Sequence, residues 1–421
     1  MKILWFTNTS SLYEKDSHGY NGGGWIASLE ELMKKQSEIK LAISFLHKSN
    51  SKRVEREGVT YFPIKKVSGK KNPIKTILNN WLGKFDEINY DSTIKQIILE
   101  FQPDIIHVFG TEGIFTNVQN LTTIPVVIHL QGLINPYLNA YFPVNQSKLS
   151  FISDINYIIK NLIGTSPIFG MKRFEFQAKN ECRALKTSRF VMGRTNWDKL
   201  VSKIINPKLE YFHVDEVLRP IFYLTQGKNN EVHGHTKVKL LSTISPTIYK
   251  GIDVVLKTAK ILKETNRLDF EWELIGIENN DKLFKHFEKT EKIVHHEVNI
   301  KCLGKLTADE IVIKMKEATI FIHPSYIDNS PNSVCEAQML GLPVITCNVG
   351  GVSSLIEDNV SGILVPSNGV YEMVDSIMQL TNYEDERVKM GMNARTLAMK
   401  RHNRDIIITK LLEAYSSIIL K

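Results

Sequence analysis

Cysteine is scarce in this 421-residue chain, which has only Cys182, Cys302, Cys335 and Cys347. No two form a Cys-x-x-Cys pair, and no histidine lies at metal-ligand spacing from them. That pattern argues against a zinc site and against a disulfide framework. A reduced, cytoplasmic protein is the simple expectation. Long apolar runs are also missing. Ile3–Phe6 is too short for the core of a signal peptide, and no stretch reaches the ~18 apolar residues of a membrane span. Any membrane association is therefore expected to be peripheral. Low-complexity tracts and internal repeats are absent.

The hydrophobic share of 43% and the charged share of 23% are those of a soluble globular chain. The length asks for two or three domains. The positive charge is concentrated in one place. Residues 48–84 hold ten Lys or Arg against two acids, an excess equal to the +8 of the whole chain. Such a stretch is either a solvated surface or an attractor of phosphates or an anionic membrane face.

Apolar periodicity predicts alternating strands and helices. Strands are expected at 3–6, 41–46, 105–108, 126–130 and 190–192. After a polar loop a second series follows, at 239–243, 270–275, 300–303, 320–323, 344–346 and 363–365. Helices are expected at 94–101, 252–265, 309–318 and 331–340, with closing helical segments at about 370–398 and 404–420. Residues 133–180 lose this rhythm and read as helical excursions. The fold class is thus α/β, with two facing Rossmann-like domains and a ligand cleft between them. Domain boundaries are expected at 1–218 and 219–400, with 401–421 as a helix packing back on the first domain.

The most informative stretch is residues 323–351, HPSYIDNSPNSVCEAQMLGLPVITCNVGG. Ser330 reads as a helix N-cap with Pro331 at the first helical position, and Gly341 suits the helix end. Free N–H groups at Asn332 and Ser333 would then face a ligand, an arrangement suited to a diphosphate. Glu336 falls on the same helix face, where it can accept ribose hydroxyls, and Asp328 lies in the loop before it. Read without further context, Glu336 is equally an ordinary helix residue and Asp328 a turn residue.

This stretch resembles the donor-binding signature of the retaining glycosyltransferases of family 4, which have the two-domain B-type fold. The match runs through Pro324, Ser325, Pro331, Glu336, Ala337, Gly341, Pro343, Val344 and Gly350-Gly351. The resemblance gives Glu336 the nucleotide ribose and Asp328 the hydroxyls of the donor sugar, although the family usually has Glu at the latter position. Gly22–Gly24 matches the N-terminal glycine loop, so Gly23 and Gly24 are expected near the donor. His129, after the strand 126–128, matches a catalytic histidine, and Lys250 matches the diphosphate-binding lysine. The family's companion Arg is replaced by Ser245, with Arg219 and Arg194 as candidate substitutes. Gly304-Lys305-Leu306 resembles the segment meeting the nucleobase.

The resemblance thus implies a hexosyl transfer with retention of configuration, from a UDP- or GDP-linked sugar to a glycan or lipid-linked acceptor. It implies no metal and no cofactor, and the sequence has no Asp-x-Asp pair in a suitable loop. His129, Lys250 and Asp328 are the expected catalytic residues. Gly23, Gly24, Lys250, Lys305, Asp328, Ser330, Asn332, Ser333 and Glu336 are the expected donor-binding residues. A role in surface polysaccharide or glycoconjugate synthesis follows, in the cytoplasm or at the inner membrane face, with no nucleic-acid partner. The competing readings are a sugar-nucleotide epimerase of the same fold and a non-catalytic nucleotide- or lipid-binding regulator.

Overall fold

The computed structural model describes residues 1–14, 24–48, 53–67, 72–85, 88–144, 146–227 and 237–421. The chain forms two compact units, one of residues 1–138, 169–217 and 402–421 and the other of 139–168 and 218–401. The sequence reading puts all of 1–218 in one domain. Residues 139–168 belong instead to the second unit, and the closing helix Arg404–Ile419 belongs to the first.

The first unit is built on an eight-stranded sheet. Its strands are β1 (Lys2–Thr7), β2 (Lys40–His47), β3 (Val54–Arg56), β4 (Val59–Lys65), β5 (Ile105–Phe109), β6 (Val126–His129), β7 (Phe190–Gly193) and β8 (Glu210–His213). Their order is β3-β4-β2-β1-β5-β6-β7-β8. All neighbours are parallel except β3 and β4, which form a hairpin across Glu57-Gly58. Both turn residues have positive φ, as a two-residue hairpin requires. The hairpin lies in the basic stretch, where no strand is expected from the sequence. The central strands are apolar without alternation because helices cover both faces. β1 is buried from Ile3 to Thr7, and β5 throughout.

The second unit holds β9 (Val238–Thr243), β10 (Phe270–Ile275), β11 (Ile300–Gly304), β12 (Ile320–His323), β13 (Val344–Cys347) and β14 (Ile363–Val365). The sheet is parallel, in the order β11-β10-β9-β12-β13-β14. Counted within the unit this is 3-2-1-4-5-6, the doubly wound order. Its switch point lies between β9 and β12, where ligands bind beyond the strands' carboxyl ends. The segment expected at 370–398 is two helices, Val370–Asn382 and Glu384–Arg401. Among the described residues, no helix is long and apolar enough to cross a membrane.

Candidate active site

The carboxyl ends of β9 and β12 diverge at the switch point of the second unit, and each delivers a charged group there. After β9 the chain makes a single 3-10 turn, Ile248–Lys250, before the helix Ile252–Thr265 begins. After β12 comes the loop holding Asp328. Lys250 Nζ lies 2.5 Å from Asp328 Oδ2, and His323 Nε2 lies 3.1 Å from the same oxygen. Asp328 is 7% exposed, so burial raises its carboxyl pKa. The Lys250 charge and the hydrogen bonds from His323 and Lys250 outweigh that cost, and the group is held well below the usual carboxylate range. Burial lowers the pKa of His323 despite the neighbouring carboxylate, which keeps the imidazole neutral and able to donate from Nε2.

Two glycines fix this loop by close backbone approach. Gly251 has φ 76°, and a Cβ there would stand 2.1 Å from the Pro324 carbonyl oxygen. Gly350 has φ 53°, and its Cβ would stand 2.0 Å from the Asp328 carbonyl oxygen. Only glycine tolerates both the conformation and the contact. The Gly351 N–H donates to that Asp328 carbonyl at 2.9 Å, and the Tyr326 N–H donates to the Tyr249 carbonyl at 2.9 Å. Tyr326 Oη reaches the buried Asp253 at 2.7 Å. The loop is thus pinned on both sides of Asp328.

The following helix spans Asn332–Met339. Pro331, with extended ψ of 115°, is its N-cap, and no side chain caps the N-terminus. Ser330, expected as the cap, is buried one residue earlier. Asn332 and Ser333 are half-buried, whereas the rest of the helix is buried. The Glu336 carboxylate receives a bidentate fork from Arg219, whose Nε and Nη2 each lie 2.8 Å from one carboxylate oxygen. Burial raises the Glu336 pKa, and the Arg219 charge opposes that rise. An ionised carboxylate has about four acceptor positions, so the fork does not exhaust its capacity to accept. Lys305 is exposed at the end of the edge strand β11, two strand spacings from β9, or about 10 Å. Ser245 Oγ lies 3.4 Å from Thr247 Oγ1, and the serine brings no cation.

In the first unit, His129 closes β6 and is fully buried, with its ring edge-on to Trp25. His129 Nδ1 lies 3.2 Å from His107 Nε2, and His107 Nδ1 lies 2.5 Å from Tyr415 Oη. Trp5 Nε1–H donates to that same oxygen at 3.1 Å. One proton arrangement satisfies most of these atoms. Tyr415 accepts from Trp5 and donates to His107 Nδ1. His107 then donates from Nε2 to His129 Nδ1, which leaves the proton of His129 on Nε2. Both rings are neutral in this arrangement. Burial lowers the His107 pKa to about 3 and holds that of His129 well below its ordinary value. His129 Nε2 has no hydrogen-bond partner among the described residues. It is therefore a buried donor, with a desolvation cost of about 1–3 kcal/mol to recover from a ligand.

Arg194 is tied within the first unit, with Nη2 donating to the Gln131 carbonyl at 2.7 Å and the guanidinium over Trp25. Gly24 opens the helix Gly24–Met33, and Gly23 lies outside the described residues. The second unit therefore brings together Lys250 and Asp328, both expected, with His323, which sequence reasoning missed. It also joins Glu336 to Arg219. Position at a strand's carboxyl end is the signal that marks His323.

Residues 227–397 match the family model described as glycosyl transferases group 1. An uncharacterised glycosyltransferase of Methanocaldococcus jannaschii is 26% identical over 217 residues, covering 50% of this chain and 57% of that protein. The amylovoran biosynthesis glycosyltransferase AmsK of Erwinia amylovora is 28% identical, covering 42% of this chain and 44% of its own. The chain thus spans about half the length of the curated relatives it matches. Sucrose-phosphate synthase from Thermosynechococcus elongatus superimposes with a TM-score of 0.71 at 11% identity, covering 100% of this chain and 99% of that one. The HepE protein of Anabaena, solved with UDP-glucose, gives 0.68 at 13% identity, covering 99% of this chain and 100% of the other. At these identities the likeness is one of fold, and the fold is the two-domain glycosyltransferase B type.

Proposed function

We propose that this protein is a glycosyltransferase that moves a hexose from a UDP- or GDP-linked donor to a hydroxyl of a glycan or lipid-linked acceptor, with retention of configuration. The observation that carries the reading is the pairing of Lys250 with Asp328 at the switch point of the second unit's sheet. The family match over residues 227–397 supports it. The relative named for amylovoran biosynthesis supports a role in polysaccharide synthesis. The UDP-glucose held by the Anabaena protein supports a nucleotide-sugar donor.

In this reading Glu336 takes the ribose and Asp328 the sugar hydroxyls, while Gly24 serves the donor and Lys305 lies towards the base. Lys250, the N–H groups of Asn332 and Ser333, and Arg219 in place of the cation absent at Ser245 hold the diphosphate. Ser330 shapes the approach to that helix end. The anomeric C–O bond breaks as the acceptor oxygen bonds to the same face of the sugar. Negative charge grows on the departing diphosphate, which takes up the acceptor's proton. His129 donates from Nε2 to a sugar or acceptor oxygen. No metal or cofactor is needed, because fixed cations and N–H groups supply the stabilisation.

The test is turnover of an active donor by the Lys250→Ala and Glu336→Ala variants. Removal of one fixed donor typically costs about 3 kcal/mol of barrier, so each variant is expected to lose at least ~tenfold in rate. Near-wild-type rates in both would overturn the assignment.

A further inference from the structure

Residues 139–168 cross onto the second unit as a strap of short helices, Lys148–Ser153, Ile155–Tyr157 and Ile158–Leu162. Its inner side is fully committed. Phe151 is buried and stacks on the His286 ring at 3.9 Å between centroids. His286 Nδ1 lies 2.6 Å from Asp154 Oδ2, and its Nε2 lies 3.1 Å from Ser150 Oγ. The outer side is apolar and exposed. Val144, Leu149, Ile152, Ile155, Ile159 and Leu162 are each more than half exposed, Ile155 at 74%. So many large aliphatic groups in one short segment go beyond the scattered apolar residues of an ordinary surface.

The most exposed charges of the strap and of the helix beneath it are lysines. The strap's only Lys, Arg, Asp or Glu residues are Lys148, Asp154 and Lys160, and Asp154 is buried against His286. The helix beneath, Lys282–Glu291, exposes Lys282, Lys285 and Lys289, while its Glu288 is buried. Lys289 lies 3.8 Å from Asp154, which makes the lysine row continuous with the strap. Exposed aliphatic groups flanked by lysine, with no exposed acid in the strap, match an anionic lipid surface. The apolar side chains enter the acyl boundary and the ammonium groups meet headgroup phosphates. A second copy of the chain fits less well, since a two-fold pairing would set lysine against lysine.

The geometry points to the strap 139–168, with the lysine row of Lys282–Glu291, as the surface by which this protein docks on an anionic bilayer. This rests on the lipid-linked-acceptor reading above and assigns its membrane contact to the second unit instead of to the basic stretch 48–84.

The experiment is co-sedimentation of the full chain with vesicles of phosphatidylcholine alone or mixed with phosphatidylglycerol, at low and high salt. Binding is expected only to the mixed vesicles and to weaken with salt. An Ile155→Ser, Ile159→Ser, Leu162→Ser triple variant is expected to lose at least ~tenfold in apparent affinity. A Lys148→Glu, Lys289→Glu variant is expected to lose the salt-sensitive part. Donor turnover on a water-soluble acceptor stays unchanged in both variants. Loss of turnover in wild type with vesicle binding intact would therefore count against the enzyme reading alone. The docking surface is overturned if wild type ignores the mixed vesicles, or if the triple variant binds as wild type does. It is also overturned if only an Ile74→Ser, Leu78→Ser change in the helix Pro73–Leu82 removes binding, or if sedimentation shows a dimer that the triple variant dissociates.

Discussion

Arg219 and Glu336 lie 117 residues apart in sequence and share two 2.8 Å hydrogen bonds. Glu336 is buried and Arg219 half-buried, and truncating the arginine strands the buried carboxylate, at a cost towards the lower end of the ~3–5 kcal/mol of a fully buried pair. Arg219→Ala is therefore expected to destabilise the second unit strongly in denaturant unfolding at neutral pH. Adding Glu336→Gln should return much of that loss, because the stranded charge is gone. A double variant no more stable than Arg219→Ala would show the fork to be unimportant. The buried imidazoles give a second expectation. Their folded pKa values lie below the unfolded value of 6.5, so the unfolded chain takes up protons first. Stability from His107 and His129 is thus full above pH 6.5 and is lost as pH falls towards about 3. Between pH 7.5 and 5.5 each ring should contribute a loss of about 1.4 kcal/mol. His107→Asn should remove its share of that slope in urea titrations. An unchanged slope would contradict the neutral arrangement of the two rings. The placement of Asp328 in the loop after β12 and of Glu336 on the following helix was legible in the sequence because their spacing is local. His323 and the Arg219 fork were not, because a partner far along the chain leaves no mark of spacing.

At the scale of elements, the sequence showed the second sheet well. Uninterrupted apolar runs between turn residues mark buried parallel strands, and β10, β12 and β14 fall where those runs do. The hairpin of β3 and β4 was hidden because its strands mix charges with apolar residues at a sheet edge. Ser330 failed as a cap because Pro331 adopts the extended capping conformation itself. Glycine spacing was visible, but its cause was not. Gly350 serves the Asp328 carbonyl, and a methyl group there must push the loop away from Lys250. Gly350→Ala is expected to cut donor turnover at least ~tenfold, since misplacement of a binding group by about an ångström commonly costs ~100-fold. Kinetics beside a thermal melt decide the matter. A melt lowered with turnover per folded molecule unchanged would assign Gly350 to stability alone.

At the scale of the whole molecule, sequence order and compact units disagree. The resemblance covers local motifs, whereas membership of a unit depends on which apolar faces meet. Residues 139–168 leave the first half of the chain for the second unit, and residues 402–421 return to the first. The returning helix buries Ile407, Ile408, Leu411, Tyr415 and Ile418. At about 1.5–3 kcal/mol per large apolar side chain, their burial is comparable to the ~5–15 kcal/mol that holds a typical domain together. Tyr415 also completes the hydrogen-bonded row that ends at His129. A chain stopped after Arg401 would leave Trp5 and His107 without that partner and open the core of the first unit. The second unit keeps its own sheet and its own apolar cluster, which reaches from Leu218 to Ala398. Calorimetry of the shortened chain is therefore expected to show the first unit's transition lost or shifted far down, with the other transition retained. A nucleotide diphosphate that binds near Lys250 should still raise that remaining transition, by about 2.7 kcal/mol at a hundredfold excess over its Kd. Two undisturbed transitions would mean that the first unit stands without its last helix. Loss of both would mean that the second unit depends on the first for its stability.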